Sequence, residues 1–134
     1  MKQYKLRQIQ RKAIRLKLIG HELTKIPMHK LQAQCNGIGA ECFPARWRKL
    51  IDWINPNFEA SAMIHDLMWS NDYDFTRSND ILYINGKWEA MAAYAWYNPI
   101  RYIAITRAKI FAKLCQKFGY IAYLQACGRE KEND

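Results

Sequence analysis

Apolar residues recur every three or four positions through the first part of the chain, and basic residues fill most of the positions between them. Over residues 3 to 19 the apolar side of the pattern consists of Leu6, Ile9, Ala13, Leu16 and Ile19. This spacing predicts a basic amphipathic helix. Gly20 can end that helix, and a short second element then starts at Thr24 and is interrupted by Pro27.

The pattern breaks between residues 35 and 44, where two glycines, an asparagine and a proline fall within ten positions (CNGIGAECFP). Glycine admits positive φ at little cost, so Gly37 and Gly39 predict a tight turn and the whole stretch predicts a loop. Residues 45 to 54 then return to helical spacing, and Asn55-Pro56 stops this short helix.

Three longer helices are predicted in the remainder, over residues 58 to 69, 76 to 97 and 99 to about 118. Asn98-Pro99 separates the last two, and Gly119 caps the third. No convincing alternation of a β-strand is present. The sequence therefore predicts an all-α fold with three parts: a basic amphipathic arm at 1–34, a helical domain at 35–127 and a polar tail at 128–134.

Charge is distributed unevenly along the 134 residues. Residues 1–34 contain nine Lys or Arg and one acid, whereas residues 35–134 contain twelve bases and eleven acids. A cationic segment of this kind attracts phosphate, either in nucleic acid or in lipid head groups. The longest stretches without charge have eleven residues, at 90–100 and 118–128, too short for a spanning helix. We also expect no secretory signal at the start of the chain.

The cysteines do not indicate a metal site. Four are present, Cys35, Cys42, Cys115 and Cys127, and no two stand two to four residues apart, which argues against zinc. Three disulfide pairings are open in an oxidising compartment. Without an export signal we expect free thiols.

Candidate chemistry centres on the dipeptide His65-Asp66 and on Asp80. His65 shares a helix face with Trp69, and Asp66 points about 100° away from it. An aspartate on the next helix, Asp80, would fix the tautomer of His65 and stabilise its imidazolium after it takes a proton from water. Carbonyl oxygens from the glycine loop, together with Asp66, are the oxygen ligands that Ca²⁺ prefers.

In this region the sequence resembles the phospholipase A2-like domains of bacteriophage genomes, distant relatives of secreted phospholipases A2 and of the phospholipase domain of parvovirus capsids. The resemblance rests on N-G-I-G at 36–39 for the calcium loop, H-D-L-M-W at 65–69 for an H-D-x-x-Y helix, and N-D-I-L-Y at 79–83 for an A-D-x-x-F helix. It implies two antiparallel catalytic helices beside a calcium loop. It covers about two-thirds of the chain.

The resemblance implies a calcium-dependent phospholipase A2-like ester hydrolase of phage origin, acting on membrane phospholipids in the host cytoplasm or from a virion. Its site would combine His65 and Asp80 as catalytic residues, Ile38, Gly39 and Asp66 as Ca²⁺ ligands, Gly37 in the oxyanion loop and Trp69 as support. The basic helix would then anchor the enzyme on anionic phospholipid through Lys5, Arg11, Lys12 and Arg15.

Two other functions fit the same residues. A non-catalytic virion or assembly protein could keep the scaffold and use its basic arm to bind DNA, through residues 1–20, or another virion protein. Five aromatic residues could add a docking surface, although core packing at helical spacing is the simpler interpretation of them: Trp88, Tyr94, Trp96, Tyr97 and Tyr102. A metal phosphohydrolase could use His29, His65 and Asp66, but no aspartate follows in the later helices, since residues 104–128 contain no acid.

Overall fold

The computed structural model describes residues 3–36 and 58–133. These residues form six α-helices and one 3₁₀ turn, and no strand occurs within them: α1 (Gln3–Arg15), the 3₁₀ turn (His21–Thr24), α2 (Met28–Asn36), α3 (Glu59–Ser70), α4 (Phe75–Ala93), α5 (Pro99–Phe118) and α6 (Tyr120–Asn133). The predicted all-α fold is confirmed for this part of the chain.

Two helix boundaries near the N-terminal end differ from the sequence prediction. Helix α1 ends at Arg15 rather than near residue 19, because Lys17 takes a φ of 53° and Gly20 one of 89°. Helix α2 continues through Cys35 and Asn36, which were predicted to begin the loop. The rest of that loop, including Gly37, and the predicted helix at 45–54 lie outside the described residues.

Later boundaries agree more closely. Helix α5 begins with Pro99 after the cap Asn98, whose side chain accepts from the Ile100 amide, and it ends before Gly119 as predicted. Helix α4 stops at Ala93, four residues earlier than expected. The prediction of a polar tail outside the helices is wrong for the backbone of residues 128–133, which continues helix α6.

Helices α3 and α4 form an antiparallel hairpin. Three hydrogen-bonded pairs join the two helices, and the residue number falls along α3 as it rises along α4: Trp69 with Ser78, His65 with Asn79, and Ser61 with Glu89. Asp74 caps α4 by accepting from the backbone amide of Arg77. The predicted antiparallel pair is therefore present, and it carries the residues of the candidate site.

Helix α1 packs into the protein and does not stand apart as an arm. Leu6 and Ala13 are fully buried, Ile9 is nearly so, and all three join the core cluster of α3 with Ile64 and Leu67. This corrects the separation of residues 1–34 from a domain at 35–127. Burial of this face follows from its apolar area, which is removed from water in the core instead of in a bilayer.

A buried carboxylate fastens α1 to the hairpin. Glu89 on α4 is fully buried. Its Oε1 accepts from the amide and the hydroxyl of Ser61 at 2.6 and 2.5 Å, and its Oε2 pairs with Lys12 Nζ at 2.6 Å. The Ser61 amide lies in the first turn of α3, where the helix offers no partner of its own. The Glu89 side chain thus accepts from a backbone amide of α3 that has no partner within the helix, and it holds α1 through Lys12.

Helices α4 and α5 lie against each other along most of their length. Gly86 sits where the ring of Phe58 and the methyl of Ala108 approach the α4 backbone so closely that a Cβ there would overlap both. The Phe58 ring meets Phe111 edge-on at 5.9 Å. The glycine predicted as a weak point in the helix is thus a place where Phe58 and Ala108 pack directly against the α4 backbone.

The aromatic residues near the corner between α4 and α5 are exposed. Trp96 and Tyr97 are 72% and 73% exposed, and Trp88 and Tyr102 are about half exposed. Tyr102 Oη donates to the Trp96 carbonyl at 2.6 Å, which ties the corner to α5. The interpretation of these residues as core is wrong for these four side chains, while Tyr94 is half-buried.

Candidate functional site

His65 lies in the middle of α3 and faces α4. The residue is 5% exposed, and its ring centroid is 4.3 Å from that of Trp69 one turn later. His65 Nε2 is 2.7 Å from the Oδ1 atom of Asn79 on α4. An amide oxygen can only accept, so Nε2 carries the proton and Nδ1 keeps the lone pair. The hairpin thereby selects one tautomer of the imidazole.

The environment of His65 keeps the ring neutral. Burial lowers the pKa of His65 from 6.5 to about 4, and the hydrogen bond with Asn79 offsets only part of that effect. Desolvation penalises the imidazolium, and a neutral amide supplies no opposite charge to compensate. At neutral pH the ring is therefore unprotonated and able to accept a proton.

Asn79 belongs to a chain of side-chain hydrogen bonds that reaches the surface. Its Nδ2 donates to Gln116 Oε1 on α5 at 2.8 Å, and Gln116 Nε2 donates to Thr76 Oγ1 at 3.0 Å. Asn79 is buried, whereas Gln116 and Thr76 are exposed. The chain fixes the orientation of the Asn79 amide and links the His65 ring to solvent-facing groups.

Asp80 does not occupy the position predicted for it. The side-chain oxygen bonded to His65 belongs to Asn79, and Asp80 is exposed on the next position of α4. Adjacent helical residues point about 100° apart, so only one of the two can face α3. The structure thus corrects the partner of His65 from an aspartate to an asparagine.

Asp66 is half-buried on α3. Its charge adds to the effect of burial in raising the pKa of the Cys115 thiol on α5, so it lies toward that helix. Cys115 and Cys127 form no disulfide bond, and Cys127 Sγ lies 3.4 Å from the Trp69 carbonyl oxygen. The other predicted Ca²⁺ ligands, Ile38 and Gly39, and the loop residue Gly37 lie outside the described residues. Within residues 3–36 and 58–133 no three His, Cys, Asp or Glu side chains converge as a metal site.

Trp69 holds the hairpin behind His65. The residue is fully buried, and its indole Nε1 donates to Ser78 Oγ at 2.9 Å. Its ring also contacts Tyr123 on α6 with centroids 5.8 Å apart. The predicted supporting role fits this position, with the hydrogen bond reaching the residue next to Asn79.

The four cations predicted to bind membrane have two different environments. Lys12 forms the buried pair with Glu89, and Lys5 lies 3.5 Å from Glu59. Arg11 and Arg15 are exposed. Because Lys12 pairs with an internal carboxylate and the apolar face of α1 lies in the core, only the outer face of this helix is open to an anionic surface. Its binding to anionic phospholipid stays a prediction.

A groove of about 300 Å³ runs between α4 and α5 on the side of Asn79. One wall is formed by Thr76, Asp80 and Tyr83, and the other by Lys109, Lys113 and Gln116, with Asn79 and Ala112 between them. Sequence reasoning missed this groove because its residues come from two distant segments. Their spacing along each helix, three or four residues, was the available signal.

Comparisons of the chain with models of protein families, with curated proteins and with solved structures find no match. Across the described helices, none combines the length and the apolar character that crossing a membrane requires. Two observations therefore bear on the function of this chain: the geometry around His65 and the resemblance of the motifs around it to phospholipase A2-like domains.

Proposed function

We propose that this chain is a phospholipase A2-like ester hydrolase in which Asn79 orients the histidine base. The observation that carries the proposal is the contact between His65 Nε2 and Asn79 Oδ1 across an antiparallel helix pair. The resembled family places a histidine and its partner on two such helices. Ca²⁺, implied by the same resemblance, would polarise the ester carbonyl when bound.

In this proposal His65 acts through Nδ1. The Nε2 proton is held by Asn79, so the Nδ1 lone pair can take a proton from a water molecule as that water attacks the ester carbonyl. Asn79 Nδ2 is in turn fixed by Gln116, which keeps the amide oxygen directed at the ring. A neutral amide stabilises the resulting imidazolium less than a carboxylate would. The arrangement predicts a slow enzyme.

Asn79→Asp is expected to raise the rate of fatty-acid release from phosphatidylglycerol vesicles in the presence of Ca²⁺ by about tenfold, since a carboxylate raises the basicity of the imidazole. His65→Gln removes the base and should abolish release. Asn79→Ala should lower release by a similar factor to the gain of Asn79→Asp, because the tautomer is no longer fixed.

Lys87→Gln is the control for this series, because it changes an exposed residue of α4 that does not line the groove beside Asn79. We expect its rate to equal that of the parent chain. Loss of activity in Asp80→Asn with retention in Asn79→Ala would overturn the role of Asn79. Folded protein without hydrolysis in both the parent and Asn79→Asp, at every Ca²⁺ concentration, would overturn the enzyme itself.

A second function, binding of DNA by a non-catalytic protein, is supported by the outer face of α1. Arg7, Arg11 and Arg15 are exposed at intervals of four residues, so they share one stripe of the helix. The buried opposite face and the Lys12–Glu89 pair hold this stripe in place on the protein surface. A fixed row of guanidinium groups suits the repeating phosphates of nucleic acid.

The triple variant Arg7→Gln, Arg11→Gln, Arg15→Gln tests this second function by DNA retention at increasing salt. If the three arginines contact phosphates, the slope of log affinity against log salt should become shallower by about 2 to 3. Arg77→Gln, an exposed arginine on α4, is the control and should leave the slope unchanged. An unchanged slope in the triple variant would exclude α1 as a DNA-binding surface.

A further inference from the structure

The groove between α4 and α5 brings together charged and polar groups that the proposed hydrolysis does not use. Lys109 and Lys113 stand one helical turn apart on α5, while Tyr83 and Asp80 face them from α4. The surrounding chain reinforces the positive sign, since residues 90–128 contain five Lys or Arg and no acid. A concave site with convergent polar groups is the usual form of a ligand site.

We propose that this groove binds a phosphate ester that carries a hydroxyl or amino group near the phosphate. Lys109 and Lys113 would contact the phosphate oxygens as two ammonium donors. Asp80 would accept from the neighbouring hydroxyl or amino group, because an unpaired carboxylate so close to a phosphate would weaken binding. The two walls of the groove thus fit the two ends of one small ligand.

The α4 wall of the groove supplies a fixed donor as well. Thr76 Oγ1 accepts from Gln116 Nε2 at 3.0 Å, which leaves the hydroxyl hydrogen of Thr76 to donate to a ligand. Gln116 is itself held by Asn79, whose other end contacts His65. A ligand that accepts a hydrogen bond from Thr76 therefore joins a hydrogen-bonded chain that ends at the His65 ring.

Binding is measured by calorimetry on the full chain with three probes: inorganic phosphate, glycerol 3-phosphate and phosphoethanolamine. We expect both esters to bind more tightly than inorganic phosphate. Lys109→Met and Lys113→Met should each weaken the esters by about tenfold, the value of one charged hydrogen bond. Lys117→Met removes a charge from the same helix outside the groove and should leave the affinity for all three probes unchanged.

Asp80→Asn gives a result of opposite sign for two probes. It should weaken phosphoethanolamine, because the acceptor for the ammonium is lost, and strengthen inorganic phosphate, because a repulsive charge is removed. The ring protons of His65, followed by NMR, should shift on binding in the parent and less in Gln116→Ala. Equal binding by the parent, Lys109→Met and Lys113→Met would overturn the site.

Vesicles distinguish the two sources of such an ester. If the groove takes a lipid head group, glycerol 3-phosphate should displace the chain from phosphatidylglycerol vesicles, and Lys113→Met should bind those vesicles less. If it takes a soluble ester, the probes bind without affecting the vesicles. Binding is measured without turnover. A protein that binds the esters but hydrolyses nothing would therefore support the groove as a binding site and contradict the proposed hydrolase.

Discussion

Lys12→Met is expected to lower the free energy of unfolding by about 3 kcal/mol, the usual cost of leaving one partner of a buried ion pair alone. Glu89 is fully buried, and Lys12 is its cationic neighbour at 2.6 Å. Methionine keeps the length and apolar stem of lysine but removes its charge. Urea denaturation followed by circular dichroism measures the change.

The double variant Lys12→Met, Glu89→Gln tests whether the charge is the cause. Glutamine can still accept from Ser61 and needs no cation, so the double variant should be more stable than Lys12→Met alone. Lys5→Met serves as control, because its pair with Glu59 is 3.5 Å long and largely exposed; we expect a change within about 0.5 kcal/mol. If the stability losses of Lys12→Met and Glu89→Gln simply add up in the double variant, the two side chains are not energetically coupled.

Acidification is expected to destabilise the protein through His65. Its pKa is about 4 when folded against 6.5 for the free side chain, so the unfolded chain binds this proton first. The His65 contribution is therefore fully present above about pH 6.5 and is lost as the pH falls toward 4. Between about pH 7.5 and about pH 4.5 the loss amounts to about 2 to 3 kcal/mol.

His65→Gln removes this titration while keeping an amide that can donate to Asn79. The difference in unfolding free energy between parent and variant, measured by urea denaturation at both pH values, should therefore change by about 2 to 3 kcal/mol toward the variant at the lower pH. His29→Gln changes an exposed histidine on α2 and should retain the parent's pH dependence. A parallel pH dependence in parent and His65→Gln would show that the His65 ring is not desolvated.

Local pattern predicted much of the helical structure, because caps and breakers act over a few residues. Pro99 and Gly119 set the ends of α5 as expected. The end of α1 was not predictable in the same way, since a lysine at positive φ is locally unfavourable and the turn that follows makes a tertiary contact. Ile19 shows such a contact, because its backbone donates to and accepts from the Asn85 side chain.

The partner of His65 was predictable to within one residue, while the predicted loop residues lie outside the described part of the chain. The motif located the two helices and His65, but the choice between Asn79 and Asp80 depends on a rotation of α4 of about 100° about its axis. That rotation is set by distant packing, such as Gly86 against Phe58. The role of Glu89 was hidden for the same reason, since nothing near it in the sequence identifies Lys12 as its partner.

The pair between Lys12 and Glu89 also has a consequence for synthesis. Helix α1 is synthesised before α3, whose residues cover its apolar face, and before α4, whose carboxylate holds it. For that interval the nascent chain presents Leu6 and Ile9 uncovered beside a row of cations. The least protected state of the N-terminal helix is thus its newly made one, when chaperones and membranes can reach a surface that the finished fold conceals.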